Sequence, residues 1–252
     1  MSVTIKWNGR TGNQLFSYCF ARVLAAKNNL RLVTEWPHQD FIETTPHEAG
    51  EEHDEPVVTI KDLYWNDHDR DWLNQDFKRK RVYVDGFFQN PKYYDPNKQL
   101  VKSFFNLPEI NKRPSNEIVL HWRLSDYYQV GPGKQGSVIR ADWYAHVLMH
   151  KIRFNPKINK LFIVTDDPSD RILHKLQRFH PTIVSENPKH DFNFIREFDT
   201  IICGNSTFSW MAAFLSDASK IFTFSKWINE PHRYIIRLAL MRGATPVQGN
   251  WV

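Results

Sequence analysis

The segment Ile118-Val119-Leu120-His121-Trp122-Arg123-Leu124-Ser125-Asp126-Tyr127 constrains this chain more than any other. It opens as a short apolar run, Ile118 to Leu120, which reads as a buried strand. It then turns abruptly into His121, Arg123 and Asp126, with aromatics between them. In an α/β fold the ligand sits outside the carboxyl ends of the strands, so a strand that ends in charge points to such a fold with a site at that end. Arg123 is a permanent cation whose planar fork fits phosphate. His121 is a candidate donor to an oxyanion, and Asp126 a candidate to orient or accept a proton. A strand end closed by a surface ion pair accounts for the same residues, and only the rest of the chain separates the two readings.

Strand and helix patterns alternate along the first half. Ser2 to Trp7 predicts a strand, Asn8-Gly9-Arg10-Thr11-Gly12-Asn13-Gln14 a turn, and Leu15 to Ala26 a helix. Strand, Gly-rich turn and helix start together make an anion-binding element, because backbone N–H groups and the helix dipole point at the ligand. A tight turn needs the same glycines without any ligand. Asn13 and Gln14 are neutral amides at the mouth of this turn, able to pair with hydroxyls. Leu30 to Thr34 supplies the second strand of a βαβ unit. From Pro37 to Asp54 the pattern fails; His38, His47 and His53 alternate with acids at no metal-ligand spacing, which predicts a solvated loop. Val57 to Ile60 predicts a strand. Asp67-His68-Asp69 is an Asp-x-Asp sequence of the type that can hold a metal, here in a polar, loop-like stretch. Val82 to Tyr94 reads as strand, turn and helix start, and Asp95 to Phe105 as a helix with one apolar face. Pro108 and Pro114 bracket a polar linker, which predicts two domains, 1–112 and 113–252.

The second half repeats the alternation. Gly131 to Gly136 predicts a flexible loop that could cover a ligand. Ala141 to Arg153 predicts a helix. Leu161 to Val164 predicts a buried strand that ends in Thr165-Asp166-Asp167. Carboxylates there meet a ribose or base edge, or cap the following helix. Thr182 to Ser185 is a short strand, Asp191 to Phe198 a helix, and Thr200 to Cys203 another strand. That strand runs into Gly204-Asn205-Ser206-Thr207-Phe208-Ser209-Trp210. Ser206, Thr207 and Ser209 bring hydroxyls beside the N–H groups of a helix start, a neutral phosphate cradle. Ile221 to Phe224 is the last expected strand, Tyr234 to Met241 a closing helix, and the tail to Val252 a loop.

Composition narrows the function classes. The 252 residues carry a net charge of +5, which suits a polyanionic ligand such as a nucleotide diphosphate. No long Lys/Arg block appears, so no nucleic-acid partner is expected. Cys19 and Cys203 fall in apolar patterns and read as buried free thiols, consistent with a reducing compartment. No charged leader precedes the first strand, and no window approaches the roughly 20 apolar residues of a membrane span. The expectation is a soluble, cytoplasmic protein. Nothing in the sequence speaks to its oligomeric state.

Five motifs now line up in order. Gly9-Arg10-Thr11-Gly12-Asn13-Gln14-Leu15-Phe16 resembles the amino-terminal motif of the α1,2-fucosyltransferases, family eleven of the glycosyltransferases. Gly86 to Tyr94 resembles that family's middle segment. His121 to Tyr127 is similar to its His-x-Arg-Arg-Gly-Asp-Tyr motif, Thr165-Asp166-Asp167 to its Ser-Asp-Asp, and Asn205 to Trp210 is the strongest match. The resemblance implies a GT-B-like α/β architecture, two Rossmann-like domains facing across a cleft, with the nucleotide sugar in the carboxyl-terminal one and the acceptor side in the other. It implies an inverting transferase that moves L-fucose from GDP-fucose to the 2-hydroxyl of a galactoside or similar sugar in a glycan acceptor, with no metal or other cofactor. On this reading Arg123, His121 and Asp126 are catalytic. Arg10, Gly12, Asn13, Gln14, Asp166, Asp167, Asn205, Ser206, Thr207, Phe208 and Ser209 bind the donor. The sequence departs from the family in Leu124, where the motif has a second Arg, and in Ser125, where it has Gly. Arg10, Lys134 and Arg140 are the candidates to replace that cation. The departure leaves two alternatives open: another GDP- or UDP-sugar as donor, or a sugar- or nucleotide-binding protein without turnover.

Overall fold

The computed structural model describes residues 1–45, 57–62, 71–129, 136–225 and 243–250. His47, His53, Asp67, Asp69, Lys134 and the helix expected over 234–241 lie outside the described residues. The chain divides into two compact units, Met1–Pro108 and Glu109–Val252. Each is built on an all-parallel sheet.

In the first unit, β1 (Ser2–Lys6), β2 (Arg31–Leu32), β3 (Val57–Asp62) and β4 (Arg81–Gly86) pair in the order β2-β1-β4-β3. Helix α1 (Thr11–Asn28) links β1 to β2 and buries Leu15, Phe16, Phe20, Val23 and Leu24. It ends at Asn29, whose left-handed backbone (φ 52°) turns the chain toward β2. The expected strand over Leu30 to Thr34 shortens to two residues for a visible reason. The Thr34 hydroxyl, rather than a backbone carbonyl, accepts the Ile5 N–H at 2.8 Å, so the ladder ends in a side chain. The helix expected over Asp95 to Phe105 is likewise shorter, a 3₁₀ turn at Asp95–Asn97 followed by α2 (Lys98–Lys102).

In the second unit, β5 (Glu117–Trp122), β6 (Lys160–Thr165), β7 (Thr182–Val184), β8 (Thr200–Cys203), β9 (Lys220–Phe224) and β10 (Ala244–Val247) pair in the order β10-β9-β8-β5-β6-β7. Counted from β5 and read from the far edge, this is the 3-2-1-4-5-6 order of the Rossmann fold. β5 is central and buried along its whole length, as a parallel strand covered on both faces must be. Helices α3 (Ala141–His146), α4 (Pro188–Arg196) and α5 (Thr207–Leu215) connect the strands, with a π-helical continuation over Val147–Ile152 and a 3₁₀ segment over Arg171–Phe179. The helical stretch that α3 begins runs through the π-helical segment to the left-handed Arg153 (φ 57°), the residue at which sequence periodicity ends the helix.

β10 corrects the reading of the tail as a loop. Its sequence, Ala-Thr-Pro-Val, carries a proline and only one buried residue, so no strand signal is visible. Proline is tolerated because β10 lies at the sheet's edge. Both cysteines are buried and free. Burial pushes the Cys203 thiol up to about 12 and that of Cys19 higher still, so both stay protonated and inert.

Candidate active site

Both units place their motifs where the strand order reverses. In the second unit that point lies between β5 and β8, neighbours in the sheet although β6 and β7 intervene in sequence. Ligands of open α/β sheets bind in the crevice this creates. β5 delivers His121, Trp122 and Arg123 to its edge, and β8 delivers Gly204, Asn205 and Ser206. The two turns press together closely. A Cβ on Gly204 would stand 2.9 Å from the His121 carbonyl oxygen and 2.8 Å from Tyr144 Oη, so only glycine fits there.

Arg123 is the cation of this crevice. Its Nε and Nη2 donate to Asp126 Oδ1 at 3.0 and 2.8 Å, and Nε lies 3.1 Å from Asp166 Oδ2. Its Nη1 has no partner among the described residues. The other Asp166 oxygen accepts the Leu124 N–H at 2.8 Å. Asp166 thus braces both the backbone and the guanidinium of the turn after β5, rather than standing clear to meet a ribose or base as its sequence position suggests. Asp167 accepts from the N–H and hydroxyl of Ser169 at 3.1 and 2.7 Å and closes a local turn. The helix cap expected of it belongs to Asp170, which accepts the Ile172 N–H.

His121 is buried, with its ring 5.6 Å from that of Phe208. Its Nδ1 is enclosed and has no hydrogen-bond partner among the described residues. Burial, reinforced by the Arg123 charge and opposed by Asp166, lowers its pKa to about 4. The imidazole is therefore neutral near pH 7 and offers an N–H donor but no charge. Leu124 is fully buried among the core side chains around Trp122, Ile139 and Tyr144. The residue that stands where the family motif has its second Arg thus packs into the core and leaves Arg123 as the cation of this turn.

The turn after β8 is built by three kinds of residue. Ser206 stands at the N-cap of α5, yet its hydroxyl does not cap the helix, and no acid occupies the first turn. The first N–H groups of a helix have no intrahelical partner, and Ser206 stands at that end of α5. Thr207 and Phe208 follow, both partly exposed. Ser209 corrects the sequence reading. It is wholly buried, and its hydroxyl donates to the Ser206 carbonyl at 3.2 Å, so in this structure it braces the turn. Asn205 is also structural: its Nδ2 donates to the Ser137 carbonyl at 2.9 Å, and its own carbonyl accepts from Tyr127 Oη at 3.1 Å. Ser137 N–H donates in turn to the Tyr127 carbonyl at 2.6 Å. This closed ring of three hydrogen bonds joins the Arg123 turn to the α5 turn. Ser137 gives no signal in the sequence, since it sits at the edge of a patternless loop.

The first unit reverses its strand order between β1 and β4. Gly9 adopts φ +69°, which glycine tolerates, and α1 begins two residues later. Gly12 is buried in the first turn of α1, and Arg10 is exposed at its N-cap. Asn13 Oδ1 accepts from Gln89 Nε2 at 2.9 Å. Gln14 Nε2 donates to the Gly9 carbonyl at 3.0 Å, while its Oε1 lies 2.6 Å from His38 Nε2. His38 is the residue the sequence reading misses. It falls in the stretch where periodicity fails, yet its ring packs edge-on against Trp36 and meets Gln14. Asn8 and Lys6 reach Asp85 on β4 at 3.1 and 3.2 Å. Arg140, a candidate replacement cation, is exposed and paired with Asp142 at 2.9 Å.

Among the described residues, no group of three or more His, Cys, Asp or Glu is arranged to hold a metal ion. None of the described helices is long and apolar enough to cross a membrane.

Comparison with known proteins gives a consistent result. The family model described as glycosyl transferase family 11 matches residues 2–233. No curated protein matches the sequence. Among solved structures, the chain is similar to NodZ alpha-1,6-fucosyltransferase soaked with GDP-fucose, at 15% identity and a TM-score of 0.53, covering 93% of this chain and 99% of that one. It is also similar to the R284K mutant of Arabidopsis thaliana FUT1 in complex with GDP, at 10% identity and a TM-score of 0.54, covering 92% of this chain and 71% of that one. At such identities the likeness concerns the fold, a GT-B-like pair of Rossmann-like units.

Proposed function

The chain belongs to glycosyl transferase family 11, and from that premise we propose that it transfers L-fucose from GDP-fucose to a hydroxyl of a glycan acceptor, the 2-hydroxyl of a galactoside or similar sugar, with inversion. The observation that carries this reading is the juxtaposition of Arg123 with the uncapped start of α5, at the strand reversal of the carboxyl-terminal sheet. The Nη1 end of Arg123 and the hydroxyl and amides of Ser206 and Thr207 form a cradle for a diphosphate. As the bond from the sugar's anomeric carbon to the diphosphate oxygen breaks, negative charge grows on that oxygen. A cation held beside the site and a helix N-terminus stabilise it. The acceptor oxygen bonds to the anomeric carbon from the opposite side. Its proton passes to Asp126, once Arg123 turns from that carboxylate to the diphosphate, or to the leaving diphosphate itself.

In this scheme His121 contributes a neutral hydrogen bond at most, and Asp166 holds Arg123 in place. Arg10, Asn13 and Gln14, on the amino-terminal unit, are of the polar type that pairs with sugar hydroxyls. No metal is needed, because Arg123 and backbone N–H groups perform the neutralisation. A second reading, a protein that binds a nucleotide sugar without turning it over, draws on buried Leu124 and on the capture of Arg123 by two carboxylates. A donor screen separates the readings. GDP-fucose is compared with other GDP- and UDP-sugars, with and without a galactoside acceptor, and free nucleotide is measured. Acceptor-dependent release of GDP from GDP-fucose is expected. Release from a different donor alone would reassign the sugar, and nucleotide binding without release would favour the binding protein.

A further inference from the structure

The helical stretch between β5 and β6 changes its winding partway. It is α-helical over Ala141–His146 and π-helical over Val147–Ile152. Single π-helical turns are rare and frequently mark functional sites. Here the change falls between two histidines in the sequence His146-Val147-Leu148-Met149-His150, a spacing of i and i+4. In an α-helix four residues overshoot one turn of 3.6 residues. The wider π winding, with its bonds spanning five residues, takes up the excess. The two side chains come to stand one above the other.

Val147 and Leu148 are buried in the core, whereas both histidines are exposed. Their ring centres lie 4.8 Å apart. Two imidazoles sharing one ion, at metal–nitrogen bonds of about 2.0–2.1 Å, hold their ring centres roughly 4.5–5.2 Å apart when the angle at the metal lies between square and tetrahedral. The observed spacing falls inside that range without rearrangement of the backbone. Neither imidazole has a hydrogen bond or ion pair to another described residue. The neighbouring donors are engaged elsewhere: the Met149 sulfur accepts from Arg178 Nη2 at 3.2 Å, and Asp142 is paired with Arg140 at 2.9 Å. No third His, Cys, Asp or Glu among the described residues joins the pair, so water would complete a coordination shell.

The ligand follows from the donor set. Two histidines at i and i+4 on one helix face are a metal-binding arrangement, and Val147 stands where a Glu would make the motif hydrolytic. Imidazole nitrogen suits Zn²⁺, Ni²⁺ and Cu²⁺, whereas Mg²⁺ and Ca²⁺ take oxygen. We infer that His146 and His150 chelate a divalent transition-metal ion, Cu²⁺ most tightly. No side chain orients the second nitrogen of either ring, which marks an exchangeable site rather than a permanent structural one. The site is separate from the crevice. α3 starts near the carboxyl end of β5 and the chain returns to the amino end of β6, so the pair lies toward the opposite end of the sheet.

Calorimetric titration of the full chain with Cu²⁺ and, separately, with Zn²⁺ tests this at neutral pH, where imidazole is available as a ligand. The chain holds 11 histidines, so binding is read as a difference between variants. Wild type should show one tight event that the double variant His146→Gln/His150→Gln lacks. Each single variant should weaken that event by about a hundredfold, because the second imidazole binds intramolecularly once the first has bound. Both positions are exposed, and either single variant serves should the other misfold. Identical titrations of wild type and double variant would overturn the site. So would wild-type affinity in either folded single variant, or a tight event for Mg²⁺ that the double variant lacks.

Discussion

The two units meet the same topological problem with opposite chemistry. Each reverses its strand order beside its first strand, and each sends a tight turn into a helix there. In the amino-terminal unit, beside Arg10 and the Lys6–Asp85 pair, the turn carries neutral amides held by local bonds: Gln89 to Asn13, Gln14 to Gly9, and His38 to Gln14. In the carboxyl-terminal unit it is lined by Arg123, Asp126 and Asp166 beside the uncapped hydroxyl of Ser206. The backbone solution sets where a ligand can sit, and a few side chains decide whether it is recognised by hydroxyl pairing or by charge. Amides that can both donate and accept suit a sugar. A fixed cation beside a helix N-terminus suits a phosphate.

Removing the charge is the most direct way to break this contrast. Arg123→Ala should lower turnover by about 10²–10³-fold, or roughly 3–4 kcal/mol of transition-state stabilisation. Arg123→Lys should recover only part of it, since a point charge cannot reproduce the fork. The melting temperature should move little, because a partly exposed ion pair contributes about 1 kcal/mol or less. Near-normal turnover would remove Arg123 from the chemistry.

The neighbouring histidine gives the next effect, in stability rather than rate. His121 titrates at about 4 in the folded chain and at 6.5 when exposed. The unfolded chain therefore binds more protons between these values. Stability is full above pH 6.5 and falls as the pH drops toward 4, by roughly 3 kcal/mol in all. Denaturant titrations of wild type and His121→Asn across that window should show a shallower fall in the variant; parallel curves would contradict the burial argument.

Matched glycine substitutions compare the two turns as scaffolds. Gly204→Ala drives a Cβ against a backbone oxygen and should cost about 1–3 kcal/mol in unfolding free energy. Gly9→Ala places its Cβ 2.3 Å from the flexible Asn13 amide at φ +69°; it should cost about 1–2 kcal/mol and displace Asn13 from Gln89. A smaller cost at Gly204 than at Gly9 would reverse the view that the charged turn is the more tightly built. Ser206→Ala combined with Thr207→Val should weaken GDP binding by about five- to tenfold with little change in melting temperature, at about 1 kcal/mol or less per hydrogen bond. Unchanged affinity would make the motif structural. The smallest expected effect is none at all: transfer should survive a chelator, whereas loss restored by Mn²⁺ or Mg²⁺ would revive the Asp67-x-Asp69 reading.

The sequence made much of this legible, and its silences have physical causes. Central parallel strands read as continuous apolar runs because both faces are covered, so β5, β6 and β8 were visible almost to the residue. The motif residues at their ends were visible too, but not the direction of their side chains. Nothing in Ser209 distinguishes a brace from a ligand, and nothing in Asp166 reveals that its oxygens hold Leu124 and Arg123 across a gap of about forty residues. Such contacts depend on which strands become neighbours, and periodicity does not encode strand order. His38 was hidden for a similar reason: its role comes from Gln14, on a different element, and its own surroundings have no pattern.

Pro246 carries a consequence for the molecule's life in a crowded solution. The Ser225 N–H donates to the Val247 carbonyl, so Val247 faces β9, and by the alternation of a parallel ladder Pro246 turns outward. At that point the outer edge of the six-stranded sheet has no N–H to offer. A strand from a second molecule pairing along β10 would lose a ladder bond at that point, which blunts this edge against edge-to-edge pairing.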